Sequence, residues 1–328
     1  MIRNATAWLI LMKSLCLALA FAAAAPAHSQ SFPNKSVTII VPYPPAGVTD
    51  VVTRALAPQL GRVLGQSVVV ENRTGAGGAI GLDTALRAPA DGYTLALVTP
   101  AMLSLFPVTQ PKYADLNEKY VPITLGIRSF FALGVNPAKV AARNLKEFIS
   151  YIKSNRGKLN YGTPGVGTSW HLLTELLCVT IGADAVHVPY KGEGPALADL
   201  MSGQIDFMLV SGAAKSLVDA GKIMTLASGS TQRWTAFPAT PTLKEQGTDL
   251  NLSFWVGYVG PAGLPIPIRD RLYAAFVEAY KDPEVIRLLN SQGNVATAAS
   301  PEELMAVVKL EQAQFGGLLK SGRVKIDQ

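Results

Sequence analysis

The sequence predicts an α/β protein of two domains, and two observations carry that prediction. Short runs rich in β-branched and apolar residues recur, each closing in a Gly- or Pro-marked loop that opens into a segment with helical spacing. The series pauses after three strands and restarts near residue 130, in a chain of 328 residues, longer than one ordinary core requires.

The elements follow in order. Arg3 and Lys13 precede an apolar stretch, 15–25, that ends in small residues at cleavable spacing, Ala25-Pro26-Ala27 and Ala27-His28-Ser29, so a signal peptide is expected over residues 1–29. The stretch is shorter than the ~20 residues that span a bilayer. Cys16 sits inside it without a lipobox and is expected to leave with the leader. Cys178 then remains as the sole cysteine, in an apolar helical pattern that marks it as core, so packing and not disulfides must hold the protein. Without Arg3 and Lys13 the formal net charge falls from +6 to +4, and the basic residues are scattered, which argues against nucleic acid and mildly favours an anionic guest.

Val37–Val41 reads as the first strand. Pro42-Tyr43-Pro44-Pro45-Ala46-Gly47-Val48-Thr49-Asp50 joins it to a helix: the prolines stiffen the loop, Gly47 permits close approach of a guest, and Thr49 and Asp50 are placed to cap. That helix carries the stripe Val52, Ala55, Leu56, Leu60 and Val63. A kink is expected at Pro58, since an interior proline costs about 3 kcal/mol. Strand Val68-Val69-Val70, a bend at Glu71-Asn72-Arg73-Thr74 and the run Gly75-Ala76-Gly77-Gly78-Ala79-Ile80-Gly81 repeat the arrangement, and Thr94–Val98 forms a third strand ending at Thr99-Pro100. Free N–H groups at helix starts attract anions, so two such loops on neighbouring strand ends predict one shared pocket.

The second series has strand 131–135, helix 144–156 with Asn144 and Glu147 at capping-box spacing, strand 159–162, helix 168–181, strand Val186–Pro189, helix 195–201, strand 205–210, helix 213–220 and strand 223–227. The chain returns at 252–258, and helices 268–281, 283–292 and 301–319 close it, with stripes such as Leu272, Ala275, Phe276 and Ala279.

Several chemistries fail on these residues. Gly75-x-Gly77 is followed by Ile80 where a dinucleotide fingerprint needs Gly or Ala, the loop 161–168 fails likewise, and no Walker lysine follows either loop. His171 and His187 belong to different elements with no Cys or carboxylate at ligand spacing, so no metal is expected, and His171 reads as a locally packed helix residue. No Gly-x-Ser-x-Gly elbow is present. Neither cofactor nor catalysis is therefore expected.

The two lobe-forming series, together with Asp91-Gly92-Tyr93-Thr94-Leu95, Gly157-Lys158-Leu159-Asn160-Tyr161, His187-Val188-Pro189-Tyr190-Lys191-Gly192, Gly203-Gln204-Ile205-Asp206 and Gly260-Pro261-Ala262-Gly263, resemble the Bordetella uptake gene family. These are the substrate-binding proteins of tripartite tricarboxylate transporters. The likeness runs from about residue 32 to 327. It implies the type II periplasmic-binding-protein fold, with lobe one at 30–129 and 252–328, lobe two at 130–251, and ligand between them. A monomer is expected, with membrane transport subunits or a signalling partner.

The resemblance implies that one ligand carboxylate is held by the first two loops, pointing to Tyr43, Ala46, Thr49 and Asp50 and to Ala76 and Gly77, with Thr99 at the third strand end. Asp50 reads as structural before it reads as a contact, because its charge would repel an anion. Lobe two would offer Gly165, Thr168, Ser169, Tyr190 and Lys191; ordinary turn chemistry and a solvated lysine are the alternative for these. Met102 and Phe106 are either walls for an apolar guest or core. Where relatives often have Gly-Gly in the first loop this chain has Ala46-Gly47, and where many have Asp-Asn after the Gly-Gln-Ile-Asp strand it has Val210-Ser211. Loss of that acid at Val210 predicts an amine-free carboxylate. A secreted hydrolase or lyase using the same cleft, and an orphan signalling receptor, are the alternatives.

Overall fold

A computed structural model of the chain describes residues 32–45, 47–322 and 324. The expected signal peptide and Ala46 lie outside the described residues. The strands are β1 (Val37–Val41), β2 (Val68–Asn72), β3 (Thr94–Val98), β4 (Tyr120–Phe130), β5 (Ala132–Val135), β6 (Asn160–Thr163), β7 (Val186–Pro189), β8 (Phe207–Val210), β9 (Met224–Ser228), β10 (Ser253–Pro261) and β11 (Asn294–Ala299). The α-helices are α1 (Val48–Leu64), α2 (Ala79–Leu86), α3 (Phe106–Thr109), α4 (Leu145–Ser154), α5 (Ser169–Ile181), α6 (Glu193–Ser202), α7 (Lys215–Asp219), α8 (Ile266–Ala279), α9 (Pro283–Ser291) and α10 (Pro301–Lys320).

Two sheets result. The first has the order β11-β4-β10-β3-β1-β2, the second β7-β6-β8-β5-β9. β1 lies parallel between β2 and β3, while β10 enters antiparallel between β3 and β4. In the second sheet β6 runs parallel to both neighbours and β5 antiparallel to both of its own.

The chain changes sheet at Phe131 and again at Leu252, and the two crossings are bonded to each other. Phe131 N–H donates to Leu252 O at 2.9 Å, Leu252 N–H to Gly229 O at 3.0 Å, and Gly229 N–H to Phe131 O at 2.8 Å. Each sheet has its own core. Ile40, Leu82, Val98, Leu125, Trp255 and Val308 pack on the first, and Ala132, Met208, Val210 and Trp234 on one face of the second. A third cluster joins Phe131, Phe148, Leu172 and Phe207 to Leu105, Phe315 and Leu318, so the end of α10 is packed against second-sheet elements.

Local chemistry accounts for the helix starts. The Asn144 side chain accepts Glu147 N–H, and Ser300 with Glu303 forms a reciprocal capping box. Three expectations need correction. β4 and β11 have no counterpart in the sequence reading, Glu71 and Asn72 extend β2 instead of bending, and α1 starts at Gly47 without a side-chain cap bond; Pro58 lies inside α1.

Candidate functional site

β1 and β2 are paired with Val41 opposite Asn72, which sets the loops that follow them side by side. In α1 Val51 N–H bonds Gly47 O at 2.9 Å, and the N–H of Thr49 lies ahead of that bond. In the neighbouring loop, Gly78 N–H closes on Gly75 O at 3.0 Å, so the N–H groups of Ala76 and Gly77 precede every bond of the 3-10 turn. Ala76 and Gly77 have φ of 48° and 65°, a left-handed pair that turns the chain sharply between β2 and α2. Gly78 and Gly81 allow this turn to sit deep: a Cβ at Gly78 would meet Met102 Cε at 2.5 Å, and one at Gly81 would meet Arg73 O at 2.5 Å. Met102 and Phe106 are thus the floor beneath this loop, in the first-sheet core.

The carboxylate of Asp50 is gripped by side chains of α1 and β2. Arg54 Nε donates to it at 2.9 and 3.0 Å and Asn72 Nδ2 at 2.8 Å, while the same Nδ2 reaches Tyr43 O at 3.0 Å. Arg54 also donates to Asn72 Oδ1 at 2.7 Å. The result is a clasp from α1 through the end of β2 to the first loop. Tyr43 and Thr99 meet through their hydroxyls at 2.9 Å, with Thr99 wholly buried, and burial raises the Tyr43 phenol above its usual range. Thr49 is buried as well.

Across the other sheet, Thr168 caps α5. Its hydroxyl donates to Gly165 O at 2.8 Å and accepts His171 N–H at 3.4 Å. Ser169 occupies the first helical position and is half-buried. β7 lies beside β6, and Tyr190 N–H donates to Thr163 O at 2.9 Å, which draws Tyr190 to the same loop. The phenol of Tyr190 is committed elsewhere, to Asp199 Oδ2 at 2.7 Å; burial first, then that carboxylate, push it up to about 12. Lys191 is exposed, in keeping with the solvated alternative.

Val210 requires a correction. Its side chain is wholly buried in the second-sheet core beside Met208 and Trp234, so it forms no wall open to solvent. Nor is the strand end free of acid. Glu193, from the first turn of α6, takes Ser211 N–H and Ser211 Oγ–H on its two carboxylate oxygens, each at 2.8 Å.

The histidines, placed apart by sequence, stack with centroids 3.9 Å apart and planes 13° apart. His171 Nδ1 accepts Gly167 N–H at 3.1 Å, and His187 Nε2 lies 2.6 Å from Thr163 Oγ1. Burial pushes both rings below the usual histidine range, His187 to about 4 with repulsion from His171 adding to it. Among the described residues no three His, Cys, Asp or Glu side chains are grouped to hold a metal. No helix among them is long and apolar enough to cross a membrane.

The family model described as tripartite tricarboxylate transporter family receptor matches residues 52–323. Protein BugT of Bordetella pertussis is 34% identical over 310 residues, 92% of this chain and 94% of its own. A ligand-free TctC solute-binding protein from Polaromonas superposes with a TM-score of 0.81 at 29% identity, over 89% of this chain and 100% of that one. An R. palustris protein solved with adipate gives 0.70 at 29% identity, over 89% and 99%. MatC from Rhodopseudomonas palustris, with bound malate, gives 0.67 at 29%, over 88% and 99%. The match in sequence and in two-lobed fold covers nearly the whole described chain, and the chain belongs to the TctC family of tripartite tricarboxylate transporter receptors, periplasmic solute-binding proteins.

Proposed function

We propose that this receptor captures a small organic carboxylate between its lobes, with the loops after β1 and β2 as the principal anion site. The observation that carries the reading is the pair of adjacent backbone starts, at Thr49 and at Ala76–Gly77, set side by side by the pairing of β1 with β2. A carboxylate accepts several short bonds from such groups, and the turn of Ala76 and Gly77 concentrates them. Ser169 and the start of α5 supply the opposing contacts, Thr168 orders them, and Gly165 leaves room at the rim. Residues 30–129 with 252–328, and 130–251, move as the two lobes about the crossings at Phe131 and Leu252.

Adipate and malate, bound by two relatives, are amine-free dicarboxylates. At equal identity the ligand-free relative superposes better than either of those, which supports reading the present arrangement as the open, accepting form. The chain is a monomer that delivers its ligand to membrane transport subunits, and the leader is removed on export. We read the cleft as one that binds without covalent chemistry, in keeping with the transport receptors of its family.

Calorimetry and thermal shift with malate, adipate, their diamides, and amino acids paired with deaminated analogues test this reading. Saturable binding of the free acids and none of the diamides is expected. The deaminated acid should bind at least as well as its amino acid, because both Glu193 oxygens are engaged by Ser211 and an ammonium entering the cleft loses hydration. Equal binding of acids and diamides would reject the carboxylate assignment.

A further inference from the structure

The lobe-two loop between β6 and α5 is pinned at both ends by the stacked histidines. At one end His171, the third residue of α5 and buried, accepts Gly167 N–H on Nδ1 at 3.1 Å. At the other, His187 Nε2 meets Thr163 Oγ1 at 2.6 Å. Thr163 Oγ1 in turn accepts Gly165 N–H at 3.3 Å and donates to Gly165 O at 3.2 Å. Thr168 Oγ1 donates to the same Gly165 carbonyl. Every fold of the loop thus leads back to one imidazole stack, which the Tyr161 ring extends at 5.0 Å and 18°.

That stack has a protonation requirement. Nδ1 of His171 can accept Gly167 N–H only while it carries no proton; once protonated, it sets one N–H against another. Two imidazoliums 3.9 Å apart would also repel each other strongly in a buried place. We propose that His171 and His187 are positioning residues for the lobe-two binding loop, holding Gly165, Thr168 and Ser169 in their ligand-facing arrangement only while both rings are neutral, so that acid releases the loop and weakens carboxylate capture. The inference rests on the proposed reading of this loop as a ligand contact.

The titratable groups facing the pair are Tyr161 from β6 and Glu175, one turn along α5, which accepts the Tyr161 hydroxyl at 2.5 Å. Glu175 draws the His171 proton on, but burial outweighs it, and His187 is held to about 4. The pair is therefore neutral at pH 7, and loop release falls below the ordinary histidine range of about 6.5.

Two measurements decide the matter. In the ligand-free protein, backbone amide NMR from pH 8 to pH 4 should show Gly165 and Gly167 shifting with midpoints below pH 6.5. In His171→Asn, whose Oδ1 can stand where Nδ1 stands and does not titrate, the Gly167 transition should vanish. The second measurement is malate affinity by calorimetry at pH 7 and pH 5. Malate's own protonation cancels in the ratio of wild type to His171→Asn, and the wild type should lose on the order of 10-fold more affinity than the variant. Amides that stay flat in the wild type, or identical pH profiles for the two proteins, would overturn the proposal. If malate binds neither protein at pH 7, the carboxylate reading has failed, and the amide titration still decides whether the histidines hold the loop.

Discussion

Removing the carboxylate of Asp50 should destabilise the protein and weaken ligand capture together, although the change deletes a negative charge close to the proposed anion site. Asp50 is almost wholly buried, with its side chain 4% exposed, and it gathers two bonds from Arg54 Nε and one from Asn72 Nδ2. A hydrogen bond to a charged group is worth about 1.5–3 kcal/mol, but Arg54 is 49% exposed and its share is reduced by solvent screening. Asp50→Ala should therefore cost about 2–3 kcal/mol, mostly through the stranded Asn72, and Asp50→Asn roughly half of that because an amide oxygen can keep the Asn72 bond. At ~2–4 °C per kcal/mol, the alanine variant should melt about 5–10 °C lower. The binding arm turns on sign. Asn72 also holds the Tyr43 carbonyl, so loss of the clasp frees the first loop, and malate affinity should fall in both variants. Were Asp50 instead a direct neighbour of the ligand, Asp50→Asn would relieve repulsion and tighten binding. Thermal denaturation and calorimetry on the same preparations read both quantities. Unchanged melting in Asp50→Ala, or tighter malate binding in Asp50→Asn, would refute the clasp.

Two further predictions stand apart from the cleft. Glu311 is buried on α10, accepting Ser104 Oγ–H at 2.6 Å and Trp255 Nε1–H at 2.9 and 3.1 Å, and burial pushes its carboxyl up to about 7 against the pull of those bonds and of Arg128. An acid whose folded value is raised leaves stability intact below the unfolded value of about 4.5 and lowers it as pH rises to about 7; Glu311→Gln should therefore narrow the stability gap between pH 5 and pH 8 by up to ~3 kcal/mol in urea titrations, and an unchanged gap would count against the buried carboxylate. Intact mass of protein recovered from the periplasm should show loss of the first 27 to 29 residues, and recovery of full-length or acylated chain would reject export with cleavage.

The parts of this fold that sequence makes legible are those written in local grammar. β1, β3 and β7 end where expected because each is a short apolar run stopped by Pro or by a Gly-bearing loop. β4 escapes because Pro122, Gly126 and Arg128 break its pattern, yet each is tolerable in place. Pro122 stands opposite Val259 of β10, and β11 pairs only with residues 125–129, so at Pro122 the β11 side of β4 is unpaired, a place where a proline is tolerated. β11 itself, Asn-Val-Ala-Thr-Ala-Ala, has little intrinsic strand preference and owes its form to that pairing. The insertion of β10 between β3 and β4 joins segments more than a hundred residues apart, which no local pattern encodes.

The site divides along the same line. Glycines and prolines mark the loops after β1 and β2, and the loops stand side by side because their strands pair in parallel. Side-chain direction is a different matter. In β8, Phe-Met-Leu-Val, all four residues are buried, so there is no alternation to reveal which way each side chain turns, and the burial of Val210 in the core was not legible. The histidine stack is less visible still, since its members lie sixteen positions apart. His187 lies opposite Tyr161 in the β6–β7 pairing, and α5 returns His171 over that position. Each histidine taken alone is an ordinary polar residue on an apolar element. Only the register of two short strands makes them a pair, and with it a loop whose hold depends on protons.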